Sequence, residues 1–140
     1  MWKKITRQVV IWVPVILWAA IIFKLSSGSV PVVSSIYIQD FLFKKGAHMF
    51  FFGMFGLLFY RALRMSGIEI KRAIVWSFVA VILYGASDEF HQSFSQSREA
   101  RIRDIGFDGL GGILVLSTTY FTLPKLPKKF QSFLLKLGIN

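Results

Sequence analysis

Hydrophobic and polar positions along this chain fall into long apolar runs separated by short charged breaks. Val9 to Phe23 carries no charge, Gly46 to Tyr60 has His48 as its one ionisable residue, and Ala73 to Ala86 has none. A fourth run follows Asp104 and ends at Pro124. Runs of this length are read as membrane helices, since about 20 residues at 1.5 Å each cross the hydrocarbon. The pattern predicts an all-α integral membrane bundle of four transmembrane helices, at about 6–25, 46–63, 73–88 and 105–123. Residues 26–40, rich in Ser and Val, are expected to form a loop, with 36–43 as a short amphipathic segment. The tail 125–140 has four lysines among Phe and Leu residues, as expected of a basic amphipathic helix at a membrane surface.

Composition fits the same class. Hydrophobic residues make up 54% of 140 positions and charged residues 17%, too few charges to cover the surface of a soluble domain. The length is that of a single domain, 1–140. There is no cysteine, which removes disulfides and thiol chemistry. The N-terminus resembles a secretory signal, but no small-x-small cleavage site follows, so 6–25 is kept as the first span. Pro14 within it is a candidate kink.

The net charge of +10 would suit nucleic acid, but the bases lie at the ends of apolar runs. Anionic lipid and the positive-inside rule explain them better, and no nucleic-acid partner is expected. With the N-terminus inside, the inner side holds Lys3, Lys4, Arg7, Arg61, Arg64, Lys71, Arg72, Lys125, Lys128, Lys129 and Lys136. The outer side holds Lys24, Lys44, Lys45, Arg98, Arg101 and Arg103. That is 11 against 6, with Glu69 the one inner acid. The expected topology has both termini cytoplasmic in a multi-pass protein of the cell membrane.

That topology gathers the unusual polar residues at one depth on the outer face: His48, then Asp88, Glu89, His91 and Gln92, then Asp104 and Asp108. Five of the seven acids lie between Asp88 and Asp108. Asp88, His91 and Gln92 share a face if the third helix continues through them, and Asp104, Asp108 and Gly111 form a stripe on the fourth. Gly111 and Gly112 allow a close neighbour that would draw Asp108 inward. Ionisable residues at such depth are read as functional. Glu89 and His91 are the acid–base candidates, assisted by His48. Asp88, Gln92, Arg98, Arg101, Asp104 and Asp108 are the substrate-binding candidates, the arginines as partners of an anion or of these acids. The structural alternatives are a helix–helix hydrogen bond for His48, an N-cap for Asp104, a helix end or Arg98 pair for Asp88, and Lys44, Lys45 or Arg101 as partner of Glu89. A divalent ion held by a subset of His48, His91, Asp88, Glu89 and Asp108 is a variant of the enzyme reading, but no diagnostic metal-ligand spacing is present, and no motif fixes a cofactor.

Asp88-Glu89-Phe90-His91-Gln92-x-Phe94, then Arg98, Asp104, Asp108 and Gly111, resembles the VanZ-like family over nearly the whole chain. His48 and the helix end Leu25-Ser26-Ser27 resemble it as well. The chain has Gln96-Ser97 where the family usually has Pro-Gly, and Asp108 where it often has Asn. The resemblance implies about four membrane helices, a site at His48, Asp88, Glu89, His91, Gln92, Arg98, Asp104 and Asp108, and a link to resistance against teicoplanin, a lipoglycopeptide acting outside the membrane. It implies no defined reaction. Two functions follow from the residues. One is an enzyme acting on a lipid-linked or amphipathic cell-envelope substrate. The other is a non-catalytic protein that sequesters or shields a lipid, a cell-wall precursor or a lipoglycopeptide. A small transporter fits least, since the acids cluster at one face and no inverted repeat is visible. Membrane lipids are the expected partners, and a homodimer that completes the small bundle is compatible with the pattern.

Overall fold

The computed structural model describes residues 2–28, 32–94 and 101–139, with side chains from Thr6 onward. It is helical throughout: α1 Trp2–Ser26, α2 Tyr37–Met65, α3 Ile70–Gln92, α4 Ile102–Thr122, a 3-10 turn Leu123–Lys125 and α5 Lys128–Lys136, with no strand among the described residues. Thr6–Ser26, Tyr37–Met65 and Ile70–Gln92 are long and apolar enough to cross a membrane. The fourth expected span corresponds to α4, which is not one of these three. It matches them in length, but its first two turns carry Arg103, Asp104 and Asp108 and its last turns carry Ser117, Thr118 and Thr119.

α2 is the central helix. It packs most extensively on α4, then on α3 and α1. Glycines set the α2–α4 spacing. A Cβ added to Gly111 would stand 2.1 Å from the Met49 carbonyl oxygen, and one added to Gly53 would meet Val115 at 2.8 Å and the Gly111 carbonyl at 3.0 Å. The backbones therefore touch, as small residues permit in membrane bundles. On the other side of α2, Ile11, Val15 and Ile22 of α1 meet Phe52, Phe55 and Ala62, with Val81 of α3 closing the core. Two side chains bond neighbouring backbones: Trp18 Nε1 donates to the Phe51 carbonyl at 2.8 Å, and the Tyr84 hydroxyl to the Ala19 carbonyl at 2.7 Å. Such bonds average about 0.6 kcal/mol in a bilayer, so close packing carries more of the stability.

Polarity is inverted relative to a soluble bundle. Val10, Leu17, Trp76, Leu83, Leu114 and Phe121 face outward, while Asp88, Glu89, Gln92, Asp104, Asp108 and Lys45 are buried. With lipid as solvent, apolar side chains belong outside and polar ones must find partners within.

Two elements differ from the sequence expectation. α2 begins at Tyr37, so 37–45 is helix and Gly46 lies inside it. No proline interrupts this stretch, an interior glycine costs only about 1 kcal/mol, and Lys44 bridges Asp40 one turn back at 2.5 Å. α3 runs to Gln92 rather than ending near 88, which carries the whole acidic motif on helix. The tail is docked as well as amphipathic. Arg61 Nε donates to the Leu137 carbonyl at 2.6 Å, Gly138 turns at φ +82°, and Ile139 packs on Tyr60, Ala73 and Leu116.

Gly111→Ala should therefore force α2 and α4 apart and lower stability by about 1–3 kcal/mol or more. Gly106→Ala, on the same helix with nothing within 4 Å of the new methyl, should be neutral or slightly stabilising. Thermal melts of both variants in detergent would compare them, and equal melting would show that the glycine contact does not set the spacing.

Candidate functional site

The site lies where the end of α1, the first turns of α2, the last turns of α3 and the start of α4 meet. Helical spacing selects its members. On α3, Gly85, Asp88, Glu89 and Gln92 (i, i+3, i+4, i+7) are all buried, so one stripe turns into the bundle while Phe90 faces out. On α4, Asp104, Asp108, Gly111 and Gly112 form the matching buried stripe. On α2, Lys45 and His48 lie one turn apart, above buried Phe52.

The side chains form two linked pairs of helices. Between α2 and α4, Lys45 Nζ binds Asp104 Oδ1 at 2.5 Å, with the Phe41 and Phe107 rings 5.8 and 5.5 Å from the ammonium. His48 Nδ1 meets Asp108 Oδ1 at 2.9 Å. With Asp108 ionised, Nδ1 carries the proton, and neutral His48 keeps Nε2 as an acceptor. Between α1 and α3, Gln92 Nε2 donates to Asp88 Oδ2 at 2.8 Å and to Ser26 Oγ at 2.9 Å. His91 Nε2 lies 3.1 Å from Ser27 Oγ. The Ser27 hydroxyl already donates to the Phe23 carbonyl at 2.7 Å, so His91 Nε2 is the donor in that contact, and its ring lies 4.5 Å from that of Phe23.

Glu89 and Asp108 occupy the space between these two pairs. Glu89 Oε2 accepts the Arg101 backbone N–H at 2.7 Å. Glu89 Oε1 and Asp108 Oδ2 are buried with no hydrogen-bond partner among the described residues. Asp108 Oδ2 points at Gly85, where a Cβ would stand 2.9 Å away. The arrangement thus offers one ammonium, two imidazoles and two carboxylate oxygens with free acceptor capacity. Among the described residues no three histidines or acids are grouped to hold a metal ion.

His48, Asp88, Glu89, Gln92, Asp104 and Asp108 converge as the sequence suggested, and His91 sits half-buried at the rim. Arg101 contributes its backbone to Glu89 and is exposed. Arg98 lies outside the described residues. Lys45, considered only as a partner of Glu89, binds Asp104 instead, and Lys44 binds Asp40. Ser26, Ser27 and Gly85 were not chosen as site residues. Their signals were position: Lys45 is one turn before His48, Gly85 one turn before Asp88, and the serines end the first apolar run.

The VanZ/LLP1 family model matches residues 3–123. The chain belongs to this family. No curated protein and no solved structure gave a match.

Removing Lys45 tests the buried pair. Lys45→Met should cost up to about 3–5 kcal/mol by leaving Asp104 with only the longer Arg103 contact at 3.8 Å, and adding Asp104→Asn should recover much of it. A double-mutant cycle by thermal or chemical unfolding in micelles reads the coupling. Additive losses would mean that the pair does not interact.

Proposed function

We propose that the chain spans the cell membrane four times, with α4 as the fourth span and both termini cytoplasmic. The polar end then faces outward and acts on the head of a lipid-linked or amphipathic cell-envelope molecule. His48, Glu89 and His91 are the acid–base groups, and Asp88, Gln92, Arg98, Arg101, Asp104 and Asp108 hold the substrate. The phenotype expected is lowered susceptibility to teicoplanin, in keeping with the family name.

The observation that carries this reading is the pair of buried oxygens, on Glu89 and Asp108, that have no partner among the described residues. A polar cluster kept only to join helices would satisfy its acceptors, because each orphan costs about 1–3 kcal/mol. The surplus of bases at the opposite end supports the orientation. Arg101 and Arg103, both exposed at the polar end, suit a phosphate or carboxylate on the substrate.

A non-catalytic binding protein is the second reading, and the engagement of Gln92 and His91 in bonds to Ser26 and Ser27 favours it. Variants separate the two. For an enzyme, Glu89→Gln or His91→Ala should abolish the phenotype while ligand retention and melting temperature persist. For a binder, the phenotype should decline in step with affinity across Gln92→Ala, Arg98→Ala and Asp108→Asn, with no single dominant residue. Retention of the phenotype by Glu89→Gln would remove acid–base catalysis by that residue. Orientation is tested independently, because the chain lacks cysteine. On whole cells a membrane-impermeant maleimide should label Phe94→Cys and leave Arg72→Cys unlabelled. The reverse pattern would invert the topology.

A further inference from the structure

We propose that the polar end recognises a primary ammonium group carried by an amphiphile, with Glu89 Oε1 and Asp108 Oδ2 as the acceptors. This deepens the proposed function by naming the chemistry of the group that site takes.

The argument starts from the orphaned atoms. Glu89 and Asp108 are 6% and 1% exposed, and each presents one oxygen with no partner among the described residues. An ionised carboxylate oxygen only accepts hydrogen bonds, so whatever completes it must donate. Charge narrows the donor. Among the described residues the buried set holds four acidic side chains, on Asp88, Glu89, Asp104 and Asp108, with the Lys45 ammonium as its one buried cation and exposed Arg103 3.8 Å from Asp104. A hydroxyl or a water would fill the bonds but leave that charge. A primary ammonium brings three N–H donors and one positive charge together, and charge-assisted bonds are the stronger kind.

The site also contains a worked example of the same recognition. Lys45 Nζ sits on Asp104 with two phenyl rings nearby, which is how a desolvated ammonium is held. The ligand amine would be a second such group, one turn further along α4 at Asp108. Gly85 lets the Asp108 carboxylate come in against α3, since a Cβ there would stand 2.9 Å from Oδ2.

The amphiphilic character comes from the surroundings. Phe90, Phe94, Ile102 and Leu110, at the same level as the cluster, are exposed outward. A ligand arriving from the bilayer therefore meets apolar surface beside a buried anionic site, and needs an apolar tail with a small cationic head. Both an aminophospholipid and a freely diffusing amphipathic amine meet that description.

The test uses the purified full chain in neutral detergent, with dodecylamine, dodecyltrimethylammonium and dodecanoate as probes. Dodecylamine should raise the melting temperature saturably. The quaternary amine, which has charge but no N–H, and the carboxylate should not. Glu89→Gln and Asp108→Asn, nearly isosteric, should each weaken dodecylamine by about tenfold or more. Equal binding of the quaternary amine, or unchanged affinity in both amide variants, overturns the proposal without reliance on any variant that misfolds. Reconstitution in phosphatidylethanolamine rather than phosphatidylglycerol nanodiscs identifies the source. Competition with dodecylamine marks the lipid headgroup as the ligand, and undiminished binding marks a soluble amine. If no amine binds while Glu89→Gln still abolishes the teicoplanin phenotype, this inference fails and the proposed function stands.

Discussion

The contact on which the site depends is the glycine-mediated approach of α2 to α4. Met49 and Gly53 lie against Gly111 at backbone distance. On α4, Gly111 is one turn from Asp108 and two from Asp104; on α2, Met49 follows His48 directly and is one turn from Lys45. A wider spacing would leave the Lys45 ammonium and the His48 ring short of their carboxylates. Packing and site chemistry are therefore one constraint: the residues that lack side chains fix where the charged side chains meet.

Inside-out polarity makes that constraint demanding. In water a loosened Lys45–Asp104 pair would be resolvated at little cost. Buried at a bundle end, breaking it leaves a desolvated charge, and the penalty exceeds what the pair contributes when intact. The four helices meet the demand by different means. α2 supplies an ammonium and an imidazole to α4, and α1 supplies serine hydroxyls to α3. Glu89 is completed on one oxygen by a backbone N–H from the start of α4. Among the described residues, the buried acceptors left open lie at the seam between α3 and α4.

Much of this was legible from spacing. Asp104, Asp108 and Gly111/Gly112 fall on one helical stripe, and the stripe is buried as its glycines suggested. The acidic motif could be assigned to one face only if the third helix ran on through it, and it does. Pairing was not legible. Glu89 had Lys44, Lys45 and Arg101 as formal partners, and which one it takes is decided by tertiary placement: both lysines are on α2, facing Asp40 and α4. The start of α2 was missed because Gly46 looked like a boundary, although a single interior glycine is tolerated. Gly85 could not be ranked above the chain's other glycines until Asp108 was seen against it.

The unfinished seam also bears on whether the cluster is adhesive or functional. Adhesion alone needs the buried polar groups engaged, and Lys45, His48, Asp88, His91, Gln92, Ser26 and Asp104 each make a side-chain hydrogen bond. The two exceptions, Glu89 and Asp108, are not scattered. Both are carboxylates on the α3–α4 seam, and both are held at their other oxygen, Glu89 by the Arg101 backbone and Asp108 by His48. Random imperfection would not leave one fixed oxygen and one open oxygen on each of two neighbouring acids. An anchored carboxylate with a free acceptor is a preorganised one, since its orientation is settled before a ligand donor arrives. The fully bonded groups around the seam thus have a use beyond holding helices together. They fix the geometry of the two atoms left open.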